Sequence, residues 1–122
     1  QYELLVLKSI STIYAIDICP ENVFESKERL FNGIKSYFDL TRNTEYMSKY
    51  FIKSINYILN KNIVVGNSID ENNQIIFSEF SFKYKSITEK VFNFNDIGKE
   101  DIKSIKTFEK KPYNKIWENE NV

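Results

Sequence analysis

Histidine is absent from this chain of 122 residues, and cysteine occurs only once. Without histidine the chain lacks the commonest general base and the commonest metal ligand, which excludes most hydrolase and metalloenzyme mechanisms. The single cysteine, Cys19, cannot form an internal disulfide, so cytoplasm is the expected compartment. Because a nucleophilic thiol needs a base to form the thiolate, Cys19 is expected to be a buried structural residue. We therefore expect a protein that is not an enzyme and that holds no cofactor and no metal.

Glycine-rich loops, long apolar runs and an excess of one charge are also missing. With three glycines the chain has neither a phosphate-binding loop nor a GxSxG elbow. The longest apolar run, residues 4–7, is much shorter than the roughly 20 residues that cross a bilayer, so no membrane partner is expected. Basic and acidic side chains number 17 each, and this neutral balance supplies no field that would attract nucleic acid.

The chain does contain enough apolar material for one folded domain. Hydrophobic residues form 42% of the sequence and aromatic residues 16%, which predicts a single domain over residues 1–122. Apolar residues recur at helical spacing in three segments, which predicts helices over residues 2–18, 22–38 and 45–59. A strand is the alternative for the opening residues of the first segment.

Capping and breaking residues set the expected boundaries of these helices. Pro20 is expected to end the first helix, because the residue before a proline avoids helical geometry. Asn22 followed by Glu25 predicts a capping box at the start of the second helix. The third helix is expected to begin with a cap at Asn43 or Thr44.

Beyond residue 62 the apolar period changes to two, which is typical of strands. Residues 63–65 and 74–85 are predicted to pair as a hairpin around a polar turn at residues 70–73. In the second arm, the even-numbered side chains from residue 76 to residue 84 are expected to pack on the core. The odd-numbered side chains from residue 77 to residue 85 are expected to be mostly exposed.

The last third of the chain completes the predicted architecture. Residues 88–94 are predicted to form a third strand, with a helical turn as the alternative. A last helix from Lys99 is expected to stop at Pro112, and the tail is expected to fold back and bury Trp117. The order of elements predicts an α+β fold. An N-terminal three-helix group packs on a small antiparallel sheet, a hairpin with or without a third strand, and a C-terminal helix or tail follows.

Three stretches of the sequence resemble small bacterial immunity proteins, which protect a cell from polymorphic or contact-dependent toxins. The stretches are residues 11–16 (STIYAI), 28–31 (ERLF) and 55–65 (INYILNKNIVV). The last stretch has a predicted helix that ends in an asparagine-rich step into a short strand, as in several of those proteins. The resemblance covers about the first half of the chain. It implies a non-catalytic module that binds a cognate protein toxin and occludes its active surface.

Acidic side chains near the predicted hairpin turn are the candidate contacts for such a partner. A toxin that acts on nucleic acid is commonly basic, so Asp70, Glu71 and Glu79 are predicted to face it. Lys83 and Tyr84, farther along the second arm, complete the candidate partner-binding set. An ordinary solvated turn is the competing interpretation of the three acidic residues, because turns favour aspartate and tolerate glutamate.

Two other functions stay open on the sequence alone. The third helix followed by a hairpin suits a winged-helix transcription regulator, in which Ser54 and Tyr57 would lie on the exposed face of that helix. Only two cations, Lys49 and Lys53, share that face, and the face has no arginine for contacts with phosphate or guanine. A small catalytic domain would need a pair of carboxylates in a cleft, and no spacing in the sequence locates one.

Overall fold

The computed structural model describes residues 2–41, 47–70, 74–96 and 102–121. In this part of the chain the α-helices are α1 (Tyr2–Ile10), α2 (Pro20–Thr41) and α3 (Lys49–Asn62). The strands are β1 (Ala15–Asp17), β2 (Ile63–Val65), β3 (Ile76–Lys83), β4 (Ser86–Asn93), β5 (Lys106–Thr107) and β6 (Lys111–Pro112). A 3₁₀ turn (Phe94–Asp96) follows β4, and a C-terminal 3₁₀ helix (Tyr113–Asn121) follows β6. The protein has an α+β fold in which N-terminal helices precede a sheet, as the sequence predicts.

The helix α3 lies at the centre of the core. Ser48 caps its N-terminus, because the Ser48 hydroxyl oxygen accepts a hydrogen bond from the Phe51 N–H at 3.2 Å. The apolar side chains that follow at helical spacing are directed inward, and Phe51, Ile55 and Ile58 are fully buried. The helix packs against α1, α2, β3 and the C-terminal 3₁₀ helix. It thereby brings both ends of the described chain into one hydrophobic core.

The strands form two separate sheets. β1 and β2 pair in parallel, with Ile16 opposite Val64. The larger sheet is antiparallel: β3 pairs with β4, and the short strands β5 and β6 pair with the other edge of β4. One face of the β3–β4 hairpin packs on α3 through residues such as Phe80. We call the opposite face, which carries the odd-numbered residues of β3 and the even-numbered residues of β4, the outer face.

The hairpin differs from the one expected from the sequence. β2 does not pair with β3; it lies beside β1, and β3 pairs with residues 86–93, the segment expected to be the third strand. Asp70 therefore lies in the connection between the two sheets and not in a hairpin turn, while residues 71–73 lie outside the described residues. For residues 88–93 the prediction of a strand is confirmed.

The first helix is shorter and the second is longer than predicted. α1 ends at Ile10, and the β-branched residues that follow lead into β1. Pro20 begins α2 instead of ending α1, because a helix makes no use of the N–H at its first position. The expected capping box at Asn22 is wrong. Instead, the Asp17 carboxylate accepts hydrogen bonds from the Cys19 N–H and from the Asn22 side-chain amide.

Two smaller expectations near these helices are also corrected. α3 is capped by Ser48, and the caps expected at Asn43 and Thr44 lie outside the described residues. Cys19 is half-buried and not fully buried, and its Sγ lies 3.6 Å from a carboxylate oxygen of Glu21.

The C-terminal region places its helix on the other side of Pro112. The helix expected from Lys99 is not found over residues 102–112, which instead supply β5 and β6; residues 99–101 lie outside the described residues. The proline lies in the short strand β6, and the 3₁₀ helix begins directly after it. Trp117 does fold back: it is half-buried and stacks on Tyr50 with ring centroids 5.6 Å apart.

Candidate functional site on the outer face of the hairpin

The structure brings together three of the five residues predicted to bind a partner. Glu79 and Lys83 lie on the outer face of β3, and Tyr84 follows them in the turn; all three are exposed. Asp70 is exposed but belongs to the connection that follows β2, so it does not lie at the tip of the hairpin. Glu71 lies outside the described residues.

The turn of the hairpin has an unusual residue at its first position. Lys83 pairs with Ser86, so Tyr84 and Lys85 alone connect the strands. Two-residue hairpin turns require a positive φ at this position, where glycine or asparagine is usual. Tyr84 has φ 55° and its side chain is 88% exposed. A tyrosine held in this left-handed region costs on the order of 1–2 kcal/mol of folding free energy.

Aromatic side chains form a hollow beside the acidic residue of this face. Phe77 and Phe92 are directly opposite each other in the hairpin. The ring of Tyr14, from the segment before β1, meets the ring of Phe77 edge-on with centroids 5.2 Å apart. These rings, with Glu79 and Ile102, line a cavity of about 440 Å³. We call the set of Tyr14, Phe77, Phe92 and Glu79 the aromatic cup.

The aromatic cup is held in place by contacts behind it. The Tyr14 hydroxyl donates a hydrogen bond to the Ser78 carbonyl oxygen at 3.1 Å, which fixes the ring against the edge of β3. Phe94 also packs edge-on against Phe77, with centroids 5.8 Å apart. As a result Phe77 is only 5% exposed, although the alternation of the sequence predicted an exposed side chain. The even-numbered Ile76, at the start of the strand, is exposed where burial was expected.

The aromatic cup contains one carboxylate, that of Glu79. Burial raises the pKa of the Tyr14 phenol, and the negative charge of Glu79 raises it further. Lys90 lies directly opposite Glu79 in the hairpin register. Among the described residues, however, the ion pairs within 4.0 Å both lie along α2, and neither includes Glu79.

A second carboxylate, Glu89, is buried on the inner face and has a structural role. It is 0% exposed and accepts hydrogen bonds from the Tyr57 hydroxyl at 2.6 Å, the Ser78 hydroxyl at 2.5 Å and the Asn119 side-chain amide at 2.9 Å. These donors come from α3, β3 and the C-terminal 3₁₀ helix, so Glu89 ties three elements to β4. Over the ranges described above, no group of three or more histidine, cysteine, aspartate or glutamate side chains is arranged to hold a metal.

The aromatic cup was not predicted from the sequence, although two of its three rings carry a signal there. Phe77 and Phe92 interrupt otherwise polar faces of their strands, and this interruption was the signal that could have identified them. Tyr14 carries no such signal, because its position against Phe77 depends on how a distant segment folds. The same holds for Glu89, whose neighbours Thr88 and Lys90 suggest an exposed stretch.

Comparison of the chain with models of known protein families, with curated proteins and with solved structures finds no match. In the ranges that the structure describes, none of the helices combines the length and the apolar character needed to cross a bilayer.

Proposed function

We propose that this protein is a non-catalytic binding module, an immunity protein that neutralises a cognate bacterial toxin by covering its active surface. The binding surface in this proposal is the outer face of the β3–β4 hairpin together with its turn. The resemblance of residues 11–16, 28–31 and 55–65 to immunity proteins suggests the class of partner. The observation that carries the proposal is the conformation and exposure of Tyr84.

Tyr84 is a poor choice for folding and a good choice for binding. A glycine would form the same turn without the cost of a positive φ, and the Tyr84 ring makes no aromatic or hydrogen-bonded contact with the rest of the described chain. Strain of this kind is retained where it has a use. Tyrosine is enriched among the residues that contribute most to protein–protein binding, because it buries a large rigid surface and keeps a polar end.

One acidic residue of the outer face, Glu79, fits the expected partner, while Lys83 and Lys90 on the same face carry the opposite charge. A toxin that acts on nucleic acid needs a basic active surface, and a carboxylate opposite such a surface speeds association and excludes wrong partners. Glu79 provides this charge at the centre of the hairpin, and it is not engaged in an ion pair with another described residue.

The position of α3 weighs against the winged-helix alternative. A recognition helix must leave one face free to enter the major groove. Ser54 and Tyr57, which would lie on that face, are 0% and 5% exposed. The strand that follows α3 pairs with β1 in parallel, so it does not supply a wing.

Co-expression with candidate toxins encoded by neighbouring genes tests the proposal. We expect one of these toxins to form a stable complex and to lose its toxicity. The variant Tyr84→Gly should weaken that complex by about tenfold or more, as expected for the loss of a hot-spot residue. Ile69→Ala is the matched control, because Ile69 is 89% exposed and lies outside the hairpin. The absence of any complex, or equal binding by the Tyr84→Gly variant, would contradict the proposal.

A further inference from the structure

Elsewhere in the described chain, lysine ammonium groups lie over aromatic rings and form cation–π contacts. The Lys53 ammonium lies 4.3 Å from the ring centroid of Trp117, and the Lys106 ammonium lies 4.5 Å from that of Phe108. Within the described ranges, the rings of the aromatic cup have no lysine or arginine over them. Among the described residues, the cup therefore combines a carboxylate with aromatic rings that have no cation over them, while Lys90 lies across from the carboxylate in the hairpin register.

We propose that the aromatic cup binds the guanidinium group of an arginine side chain of the partner protein. This inference rests on the proposed function, since it names the chemistry of the partner surface. Aromatic faces attract cations through their quadrupole, and the attraction grows when the cation is partly removed from water. A carboxylate at the same place accepts the N–H groups of a guanidinium in a bidentate pair.

The shape of the cup favours arginine over the other side chains of a basic surface. Phe77, at 5% exposure, is the most buried ring that lines the cavity, and the half-buried Phe92 and the more exposed Tyr14 line it as well. A cavity of about 440 Å³ has room for a flat guanidinium and its aliphatic stem. The planar group can stack on a ring while its edge reaches Glu79, which the compact ammonium of lysine cannot do. An anionic ligand would be repelled by the same carboxylate.

Lys90 is the residue of this chain that competes for Glu79. The register places it across from Glu79, within reach of a long flexible side chain, although the two charged groups are not within 4.0 Å of each other. The positive charge of Lys90 on the same face opposes the binding of a partner arginine beside Glu79. Replacing Lys90 by glutamine should therefore raise the affinity for arginine by roughly two- to threefold, the scale of an exposed pair.

A titration with a small probe tests the cup without the partner. The probe is the blocked amino acid N-acetyl-arginine methylamide, and the control is the corresponding derivative of citrulline, which has nearly the same shape and no charge. Binding is followed by NMR chemical shifts of the rings of Tyr14, Phe77 and Phe92. We expect saturable shifts with the arginine derivative, at an affinity about tenfold higher than that for the citrulline derivative.

Matched variants identify the groups responsible. Glu79→Gln should lower the affinity for the arginine derivative by about tenfold, and Phe92→Leu, which keeps an apolar side chain without the ring, by about threefold. Glu109→Gln changes the net charge equally at an exposed carboxylate outside the cup and should have no effect. Unchanged amide spectra away from the cup confirm that each variant is folded.

The outcomes separate this inference from the proposed function. Equal binding of the arginine and citrulline derivatives, shifts outside the cup, or an unaltered affinity of Glu79→Gln would overturn the inference. A toxin complex whose affinity is the same for the wild type and for the double variant of Glu79→Gln and Phe92→Leu would also overturn it, while leaving the proposed function intact. Specific arginine binding without any toxin complex would support the cup and contradict the proposed function.

Discussion

Replacing Glu89 by alanine removes the acceptor on which three buried donors converge. The donors are the hydroxyl groups of Tyr57 and Ser78 and the amide of Asn119, and they link α3, β3 and the C-terminal 3₁₀ helix to β4. All of them are nearly inaccessible to water, since Tyr57 is 5% exposed and the other two are 2% exposed. The variant should therefore leave the three donors without their shared partner.

The size of the loss follows from the number of donors. A buried donor that loses its acceptor costs about 1–3 kcal/mol. Three such donors give roughly 3–9 kcal/mol, but removal of the charge also removes the cost of burying a carboxylate. We therefore expect Glu89→Ala to lower the free energy of unfolding by about 3–5 kcal/mol, a large part of the roughly 5–15 kcal/mol of a typical domain. The corresponding fall in Tm is about 10–20 °C.

Urea and thermal unfolding followed by circular dichroism measure this loss. Glu109→Ala, at an exposed carboxylate, is the control and should change the free energy of unfolding by no more than about 0.5 kcal/mol. A double-mutant cycle between Glu89→Ala and Tyr57→Phe should show a coupling of about 1 kcal/mol or more, because the two side chains share a hydrogen bond of 2.6 Å. A loss below about 1 kcal/mol for Glu89→Ala would refute the structural role of this network.

Four further predictions concern single positions. Burial and the neighbouring Glu89 carboxylate hold the pKa of Tyr57 well above its ordinary value, so the folded state keeps this proton when the unfolded state releases it. Stability should consequently fall as the pH rises above about 10, by up to about 1.4 kcal/mol per pH unit, and urea unfolding should show a smaller fall for Tyr57→Phe. A Cβ at Gly66 would lie 2.8 Å from the buried side chain of Ile75, so Gly66→Ala should lower the unfolding free energy by about 1–3 kcal/mol. Gly33→Ala, with open space around the new methyl group, should raise it by about 0.5–1 kcal/mol, and results of the opposite sign would contradict the packing. Tyr84→Gly should raise Tm slightly, and a clear fall in Tm would show that the turn is not strained.

The sequence was informative where a single element determines its own structure. The stripe that includes Phe51, Ile55 and Ile58 predicted α3 correctly, because a helix needs only its own periodicity to define a buried face. The alternation around Ser78 and Phe80 likewise predicted the packed face of β3. Both predictions depend on neighbours within a few residues along the chain.

The pairing of strands could not be read in the same way. The turn at Tyr84 contains no glycine or asparagine, so it lacks the sequence signature of a two-residue hairpin turn. The polar residues around Asp70 have the composition of a turn and therefore predicted the hairpin turn at the wrong place. The parallel pair of β1 and β2 joins strands of three residues each from distant parts of the chain. No residue near either strand specifies its partner. The two strands are separated in the sequence by α2 and α3, so their pairing depends on how these helices pack.

The candidate site also contains residues that could be predicted from the local sequence and residues that depend on the tertiary structure. Glu79 and Lys83 were identified on the exposed face of one arm of a hairpin, and their shared location on the outer face follows from the alternation of that strand. Tyr84 was expected to pack on the core with the even-numbered residues; it lies beyond the end of β3, in the turn, and is 88% exposed. The hollow beside them needs Tyr14 from before β1 and Phe92 from β4. Its existence is a property of the tertiary structure, which the sequence does not express at any one position.

The most direct test is chemical-shift mapping of this protein by NMR, alone and bound to a candidate toxin with which it forms a complex. The account predicts that the largest changes fall on the outer face of β3 and β4, on the turn at Tyr84 and on the ring of Tyr14. Changes confined to α1 and α2, with the hairpin signals unaltered, would contradict it.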